Sequence, residues 1–222
     1  RTRSSDLPLK NSIFEFSVTE NSYSYFISSI DPKGQLHFST YWLDTQSTRI
    51  CDLIHDDEQN LIIGGSTSCL DYPLKDALQD KLRNQQDAFI TKISPEGKIL
   101  FSTLVGGSEK DEIVSLFFDY DNNLTALGNT KSQDFPLKKS YWGPTFSTDF
   151  EKTFLLTLSK NHHIEISDIL GPFNATQVKR DLQGNYYLLS SGGGMEDYHY
   201  ANAFVNINLS PAPLSGRNSR IY

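Results

Sequence analysis

Short runs rich in apolar, β-branched and aromatic residues recur along the chain, and the first three copies are 63 to 65 residues apart. Each run begins with phenylalanine and is apolar at most of its positions. The copies are Phe26 to Ile30, Phe89 to Ile93, Phe154 to Leu158 and Phe204 to Leu209. Short β-branched and aromatic runs next to turn residues predict β-strands rather than helices. The sequence therefore predicts an all-β repeat protein.

A tight turn and a second strand follow each first strand. In two copies the turn is Asp31 to Gly34 or Ser94 to Gly97, with proline at the second position and glycine at the fourth. Proline fixes φ for a turn and glycine accepts a positive φ, so both segments predict antiparallel hairpins. The predicted second strands are Gln35 to Tyr41, Lys98 to Leu104 and His163 to Ile169.

A second hairpin completes each copy. Its turn keeps an aspartate four residues before an asparagine, as in Asp56 and Asn60, Asp119 and Asn123, and Asp181 and Asn185. The predicted fourth strands are Leu61 to Thr67, Leu124 to Thr130 and Tyr186 to Ser191. Four antiparallel strands per repeat is the number in a propeller blade, so we predict a β-propeller-type array of four-stranded antiparallel blades.

The motif Asp-x-Pro-Leu-Lys occurs three times between these strand groups. Its aspartates and prolines are predicted structural residues: Asp6, Pro8, Asp71, Pro73, Asp134 and Pro136. The residue between them is always apolar, and the following proline favours an extended backbone there. We expect this residue, Leu7, Tyr72 or Phe135, to pack between neighbouring units. The next leucine is expected to add a second anchor, at about 1.5 to 3 kcal/mol per buried side chain.

The motif suggests boundaries for the repeat units. Residues 1–5 form the end of a preceding blade, 6–70, 71–133 and 134–195 form three blades, and 196–222 form a partial fourth. About three and a half blades are fewer than the roughly four to eight of known propellers. We therefore expect the chain to be a piece of a larger propeller, with self-association of a short chain as the alternative.

Several segments together resemble the SBBP β-propeller repeat family. They are Asp87 to Gly97, Phe101 to Ser108, Asp134 to Pro136, and Asp181 with Gly184, Asn185 and Tyr187. The resemblance implies a large secreted or surface-exposed bacterial protein, often of Bacteroidota, where some members carry sorting domains for type IX secretion or belong to gliding-type surface machinery. It implies no catalytic residue, because the family is defined by structural positions.

The amino-acid composition of the chain restricts the kinds of partner that we expect it to bind. The net charge is −7 and the pI is near 5.2, whereas nucleic acids and anionic membranes attract cationic surfaces. No apolar run approaches the roughly 18 residues of a membrane helix. We expect no nucleic-acid partner, no direct membrane insertion and no cofactor. Protein partners in a surface assembly are the main expectation, and a glycan remains an alternative.

Two cysteines flank the predicted second hairpin of the first copy. Cys51 and Cys69 would form a disulfide if the hairpin brought them together in an oxidising compartment. Two buried free thiols are the other interpretation, and the sequence leaves both open.

Three groups of polar residues are candidates for chemistry. Asp119, Asp121 and Asn123 have the opening spacing of a calcium loop, but the recurrence of Asp and Asn in the equivalent turns favours a turn role. His162 and His163 are expected to point to opposite faces of a strand. Asp111 and Glu112 follow Gly106 and Gly107, and we expect a solvated loop rather than a pair of glycosidase carboxylates there.

Aromatic residues provide the last candidates. Trp42 and Trp142 are predicted contacts for a partner or a glycan, since indole rings bury area and keep a polar group. The sequence as a whole predicts a non-enzymatic extracellular interaction or scaffold segment. The alternative is a carbohydrate-binding or carbohydrate-active propeller whose catalytic residues lie outside this chain.

Overall fold

A computed structural model describes residues 2–14, 23–44, 47–83, 86–119, 121–138, 151–180, 186–191 and 205–207. These residues contain β-strands and no helix, which confirms the all-β prediction. The strands are β1 (Ser24–Ile30), β2 (Leu36–Asp44), β3 (Thr48–His55), β4 (Leu61–Thr67), β5 (Asp87–Ile93), β6 (Ile99–Val105), β7 (Asp111–Phe118), β8 (Leu124–Thr130), β9 (Lys152–Leu158), β10 (Ile164–Gly171), β11 (Asn174–Arg180), β12 (Tyr186–Ser191) and β13 (Val205–Ile207). No helix suited to crossing a membrane occurs in the described part of the chain.

The strands form antiparallel sheets of consecutive strands. Their orders are β1-β2, β3-β4-β5-β6, β10-β9-β8-β7 and β11-β12-β13. Two sheets thus have the four strands predicted for a repeat. The chain divides into two compact units, residues 1–113 and 114–222.

The composition of the sheets differs from the sequence prediction. Each four-stranded sheet combines the last two strands of one predicted unit with the first two strands of the next. In the first such sheet β4 pairs with β5 along its length, from Leu61 opposite Ile93 to Thr67 opposite Asp87, although Pro73 lies between them in sequence. Local turn residues specify the hairpins β3-β4 and β5-β6, but the pairing of β4 with β5 spans a long connection that carries no hairpin signal.

The repeat is precise at the level of register. Phe89 on β5 lies opposite Gly65 on β4, and Phe154 on β9 lies opposite Gly128 on β8. A Cβ atom at Gly65 would lie 3.1 Å from the Phe89 ring and 1.9 Å from the carbonyl oxygen of Arg49. Glycine at this position therefore leaves room both for the aromatic ring and for the neighbouring strand.

The core of the first unit joins the β1-β2 sheet to the β3–β6 sheet. The buried side chains of this core are Phe38, Trp42, Leu43, Ile63, Tyr72, Phe89, Ile93 and Leu104. Tyr72 of the Asp-x-Pro motif lies 4.8 Å from Phe89 between ring centroids, and its hydroxyl is 2.9 Å from Oγ1 of Thr91. Tyr72 thus packs between sheets as predicted.

The leucines of the motif behave unequally. Leu74 packs against the core of the first unit, but Leu9 and Leu137 are exposed. The prediction of a second anchor is therefore wrong at these two copies. Phe135 is buried and stacks on Phe154, with ring centroids 4.3 Å apart.

The lysine that ends the motif binds the last strand of a sheet, in all three copies. Lys10, Lys75 and Lys138 form isolated antiparallel bridges with Ser39, Ser102 and Ser167. The Lys75 ammonium also donates to the carbonyl oxygen of Ile99 at 2.9 Å, and Lys10 and Lys138 donate in the same way to Leu36 and Ile164. The motif thus caps the outer edges of β2, β6 and β10, which protects edges that would otherwise invite strand addition.

The core of the second unit contains Leu127, Leu155, Ala175, Val178 and Leu188. The side chain of one polar residue, Asn129 on β8, donates to the carbonyl of Ala175 and accepts from its N–H, both at 3.0 Å. This pair of hydrogen bonds connects β8 to β11, and it satisfies an amide side chain that is buried.

Candidate functional site

A buried polar cluster lies where β5 begins and where β6 leads into β7. Asp87 is the first residue of β5 and Asp111 is the first residue of β7, and both are almost completely buried. Gly106 and Gly107 are the first two residues of the connection between β6 and β7. Two buried carboxylates in one place are uncommon enough to make this the strongest candidate site in the first unit.

Gly106 is the point that the two carboxylates share. A Cβ atom on this residue would lie 2.6 Å from Oδ2 of Asp111 and 2.8 Å from Cγ of Asp87. No side chain fits at these distances. Glycine is required here because both aspartates pack directly against its backbone.

Main-chain and amide groups hold the carboxylates in place. Oδ2 of Asp87 accepts from the N–H of Arg83 at 2.9 Å and from the side-chain amide of Gln79 at 2.5 Å. The Gln79 side-chain oxygen accepts from the N–H of Gly106 at 3.0 Å. Oδ2 of Asp111 accepts from the N–H of Gly107 at 2.8 Å. The cluster therefore ties the β4-β5 connection to the β6-β7 connection.

The predicted position of Asp111 in a solvated loop is wrong. Neighbouring residues of a strand point to opposite faces, so Asp111 turns inward whereas the carboxylate of Glu112 reaches the Arg49 guanidinium at 3.2 Å near the surface. Sequence reasoning missed Asp87 and Gln79 because tertiary pairing brings them to Asp111. The available signal was that Asp87 replaces Ser24 of the first copy and Lys152 of the third.

The cluster suits a positioning role rather than acid–base chemistry. A catalytic carboxylate must come within hydrogen-bond distance of a substrate. The aspartates of this cluster are buried and accept hydrogen bonds from the chain itself. In the first copy the residue equivalent to Asp111 is Thr48, whose hydroxyl is 2.9 Å from that of Thr67. The repeat as such therefore does not require the two carboxylates.

The candidate calcium residues form a turn. Oδ1 of Asp119 accepts from the N–H groups of Asp121 and Asn123 at 2.9 and 2.8 Å, and Oδ2 accepts from the Asn123 amide at 3.1 Å. Asp56 makes the same set of bonds in the first copy. In the described ranges no group of three or more His, Cys, Asp or Glu is placed to hold a metal ion.

The two histidines lie in the turn between β9 and β10 rather than on a strand. The N–H of His162 donates to the carbonyl oxygen of Ser159 at 2.8 Å, and the N–H of His163 lies 3.2 Å from Oγ of Ser159. The serine hydroxyl here takes the place that the Asp31 carboxylate has in the first copy, as the Ser94 hydroxyl does in the second.

Asp56 also forms an ion pair with Lys92 on β5, at 2.8 Å. Partial burial acts to raise the pKa of Asp56, but hydrogen bonds from Lys92 and Asn60 and the lysine charge together lower the pKa below its ordinary value of 3.8. A lowered pKa in the folded state means that the ionised carboxylate stabilises the fold above about pH 4. This contribution is lost as the pH falls through the folded-state pKa.

We expect Asp56→Asn to lower the free energy of unfolding by about 1 kcal/mol at pH 7, because it removes a charge-assisted hydrogen bond to Lys92. The difference from the parent protein is expected to shrink as the pH falls below 4. Urea unfolding at several pH values measures both effects. Asp80→Asn, a change at an exposed side chain, serves as the control and should match the stability of the parent at pH 7. A constant difference between Asp56→Asn and the parent from pH 7 to pH 3 would contradict the assignment.

Trp42 lies in the core, which contradicts its prediction as a surface contact. The side chain is completely buried, and its ring packs edge-on against Phe14 at 5.2 Å and 84°. The indole is on the face of β2 that meets the second sheet, so no glycan reaches it in this fold. Trp142 lies outside the described residues.

The two cysteines are free thiols in the structure. Thr48 pairs with Thr67, whereas Cys51 lies three residues after Thr48 and Cys69 lies two residues beyond Thr67, in the opposite direction along the hairpin. Cys51 lies in β3 at the bulge opposite Gly64 and Gly65, whereas Cys69 lies beyond the end of β4, so the hairpin does not pair the two positions.

We expect Cys51 to react slowly with alkylating reagents. Burial raises the pKa of its thiol to about 11, against the opposing effect of the Arg49 charge, and only the thiolate is nucleophilic. In a Cys69→Ser variant at pH 8, iodoacetamide should modify Cys51 at least about tenfold more slowly in the folded chain than in the urea-unfolded chain, as followed by mass spectrometry. Equal rates in the two states would show that the thiol is accessible and ionised.

Comparisons with known proteins add no family. No protein-family model matches the chain, and no curated protein sequence matches it. The resemblance to the SBBP repeat therefore rests on the residues that carry it.

Proposed function

We propose that this chain is a non-enzymatic interaction or scaffold segment of a β-propeller-type protein that is secreted or displayed on a bacterial cell surface. The observation that carries the proposal is the repeated sheet: two four-stranded antiparallel sheets of consecutive strands are built with the same register and the same motif contacts. Propeller blades are sheets of this kind.

The use of polar residues supports a scaffold. Asp56 and Asp119 hold turns, the motif lysines cap strand edges, and Asp87 and Asp111 fix a connection between strands. Each of these candidate reactive groups is engaged by the chain's own backbone. Their chemistry therefore serves the architecture, which is the pattern of a repeat protein that presents a surface.

Exposed apolar side chains are candidates for contacts with a protein partner. Leu53 on β3 and Tyr187 and Leu189 on β12 are exposed. The neighbours of Leu53 are half-buried, and Leu188 and Ser190 on β12 are buried. Apolar and aromatic residues of this type form the centres of protein interfaces. The acidic net charge favours a partner surface with basic residues around its contact.

The experiment is a direct comparison of protein binding with catalysis. The purified chain is expected to bind one secreted or surface protein of its source bacterium saturably in surface plasmon resonance, and Leu53→Asp is expected to weaken this binding at least tenfold if β3 is part of the contact. Lys110→Ala, which changes another exposed position, is the matched control. Turnover of glycosides or esters that co-purifies with the chain and disappears in Glu112→Gln would overturn the proposal.

The architecture has its own test. Electron microscopy of the polypeptide that contains this chain is expected to show blades arranged around a central axis, as in other propellers. A linear stack of sheets or a two-layer sandwich would contradict the propeller part of the proposal, and it would leave the binding experiment to decide the function separately.

A further inference from the structure

The outer edge of β1 differs from the edges of its counterparts. β5 and β9 occupy the same position in the repeat as β1, and each lies inside a sheet, between β4 and β6 or between β8 and β10. Among the described strands β1 pairs with β2 alone. In the repeat, β4 and β8 therefore lie beside β5 and β9 on the side where β1 has no neighbour among the described strands.

One backbone pair on this edge of β1 is already formed, between Thr2 and Ser24. The N–H of Thr2 donates to the carbonyl oxygen of Ser24 at 2.8 Å, and the N–H of Ser24 donates to the carbonyl oxygen of Thr2 at 3.0 Å. In the complete sheets the same position is filled by Thr67 opposite Asp87 and by Thr130 opposite Lys152. Thr2 thus corresponds to the last residue of β4 and β8.

Further contacts anchor the segment around Thr2. The Arg3 guanidinium carbon lies 4.2 Å from the centre of the Tyr23 ring. The hydroxyl of Tyr41 donates to the carbonyl oxygen of Ser4 at 2.8 Å and lies 3.1 Å from the N–H of Leu7. The direction of the backbone at Thr2 is therefore fixed: followed backwards, an antiparallel strand that ends there runs along β1 from Ser24 towards Ile30.

Two apolar side chains of β1 are exposed, although their counterparts on β5 and β9 are buried. Phe26 is 43% exposed, whereas its counterparts Phe89 and Phe154 are fully buried. Ile30 is 62% exposed, whereas its counterpart Ile93 is fully buried. The counterparts on β5 and β9 have a neighbouring strand beside them, with the Gly65 backbone next to the Phe89 ring.

We propose that the outer edge of β1 binds one further antiparallel strand, the strand that leads into Thr2, and that this strand carries glycine opposite Phe26. The register of the two complete sheets specifies this partner, because glycine faces phenylalanine in both. A strand continuous with Thr2 is favoured over a separate molecule, since its first rung is formed and its effective concentration is high. The inference rests on the sheets and is independent of the proposed function.

The test extends the full chain at its amino terminus with a copy of its own β3-β4 hairpin. Residues Thr48 to Ser66 are joined directly to Thr2 in place of Arg1, which sets the copied glycine of position 65 opposite Phe26. Amide hydrogen exchange in β1, from Tyr25 to Ile30, is expected to slow at least about tenfold relative to the unextended chain, because the strand becomes internal. Unchanged exchange in a folded extended chain overturns the proposal.

A one-residue deletion provides the matched control. Removing the copied Ser66 keeps the rest of the copied hairpin but shifts its register by one residue, which turns every side chain to the opposite face. Exchange in β1 should then stay at the level of the unextended chain. Equal protection by both extensions would show non-specific covering of β1 and would also overturn the proposal.

Phe26→Ala separates strand addition from a general effect of the extension. In the extended chain it is expected to raise the equilibrium constant for unfolding at least about tenfold, and in the unextended chain less than about threefold, since Phe26 is covered only in the former.

Sedimentation equilibrium tests whether a second copy of the chain binds the edge of β1 instead. A dimer of the unextended chain with a protected β1 would show that a second copy takes the edge, and the proposal would then be wrong.

Discussion

Replacement of Trp42 by alanine is expected to lower the free energy of unfolding by about 3 to 5 kcal/mol. The indole is fully buried between the β1-β2 sheet and the second sheet, and it packs against Phe14. Alanine leaves a cavity where these two sheets meet. Urea unfolding followed by circular dichroism measures the loss.

Two further substitutions serve as comparisons for Trp42→Ala. Trp42→Phe is expected to cost less than Trp42→Ala, because the ring position stays filled and the indole N–H, which has no acceptor among the described residues, is removed. Leu70→Ala, at a side chain that is 88% exposed, should change the stability by less than about 0.5 kcal/mol. Parent-like stability of Trp42→Ala would place the indole at the surface and restore its role as a ligand contact.

Gly106→Ala is expected to lower the free energy of unfolding by about 2 to 4 kcal/mol. The added methyl group would lie 2.6 Å from Oδ2 of Asp111 and 2.8 Å from Cγ of Asp87. These are short side chains held by backbone N–H groups, so relief of the clash breaks buried hydrogen bonds. Thermal unfolding of the variant and its parent gives the difference.

A double-mutant cycle checks the assigned contact. Asp111→Ala removes the oxygen that the new methyl group meets, so the cost of Gly106→Ala should fall by at least about 1 kcal/mol in that background. Lys110→Ala, an exposed change in the same connection, should be nearly neutral. Additive effects of Gly106→Ala and Asp111→Ala would mean that the glycine is needed for another reason.

The sequence predicted the strands well because their signals are local. The proline-glycine turns at residues 31–34 and 94–97 and the aspartate turns at Asp56 and Asp119 each fix a hairpin by backbone conformation and short-range hydrogen bonds. Runs of β-branched and aromatic residues between these turns then predict which segments are strands. The packing of Tyr72 between sheets also followed from sequence, since an apolar residue before proline in three copies needs an apolar environment.

The cluster of Asp87 and Asp111 could not be predicted from the sequence, for a physical reason. Asp111 is far in sequence from Asp87 and Gln79, and it meets them because β5 and β6 pair and β7 follows through Gly106. The placement of Asp111 in solvent failed because strand alternation decides which of two adjacent carboxylates turns inward, and the boundary of β7 was not known.

By itself the sequence determined that this chain is a β-repeat protein with hairpins of known turn chemistry. The tertiary structure decided which hairpins share a sheet, that Trp42 lies inside, and that Lys75 and its two counterparts cap strand edges. The division follows the range of the forces involved. Turn geometry and the β-branched and aromatic composition of the strands act over a few residues, whereas the β4-β5 pairing, the buried carboxylates and the edge caps depend on groups that only folding brings together.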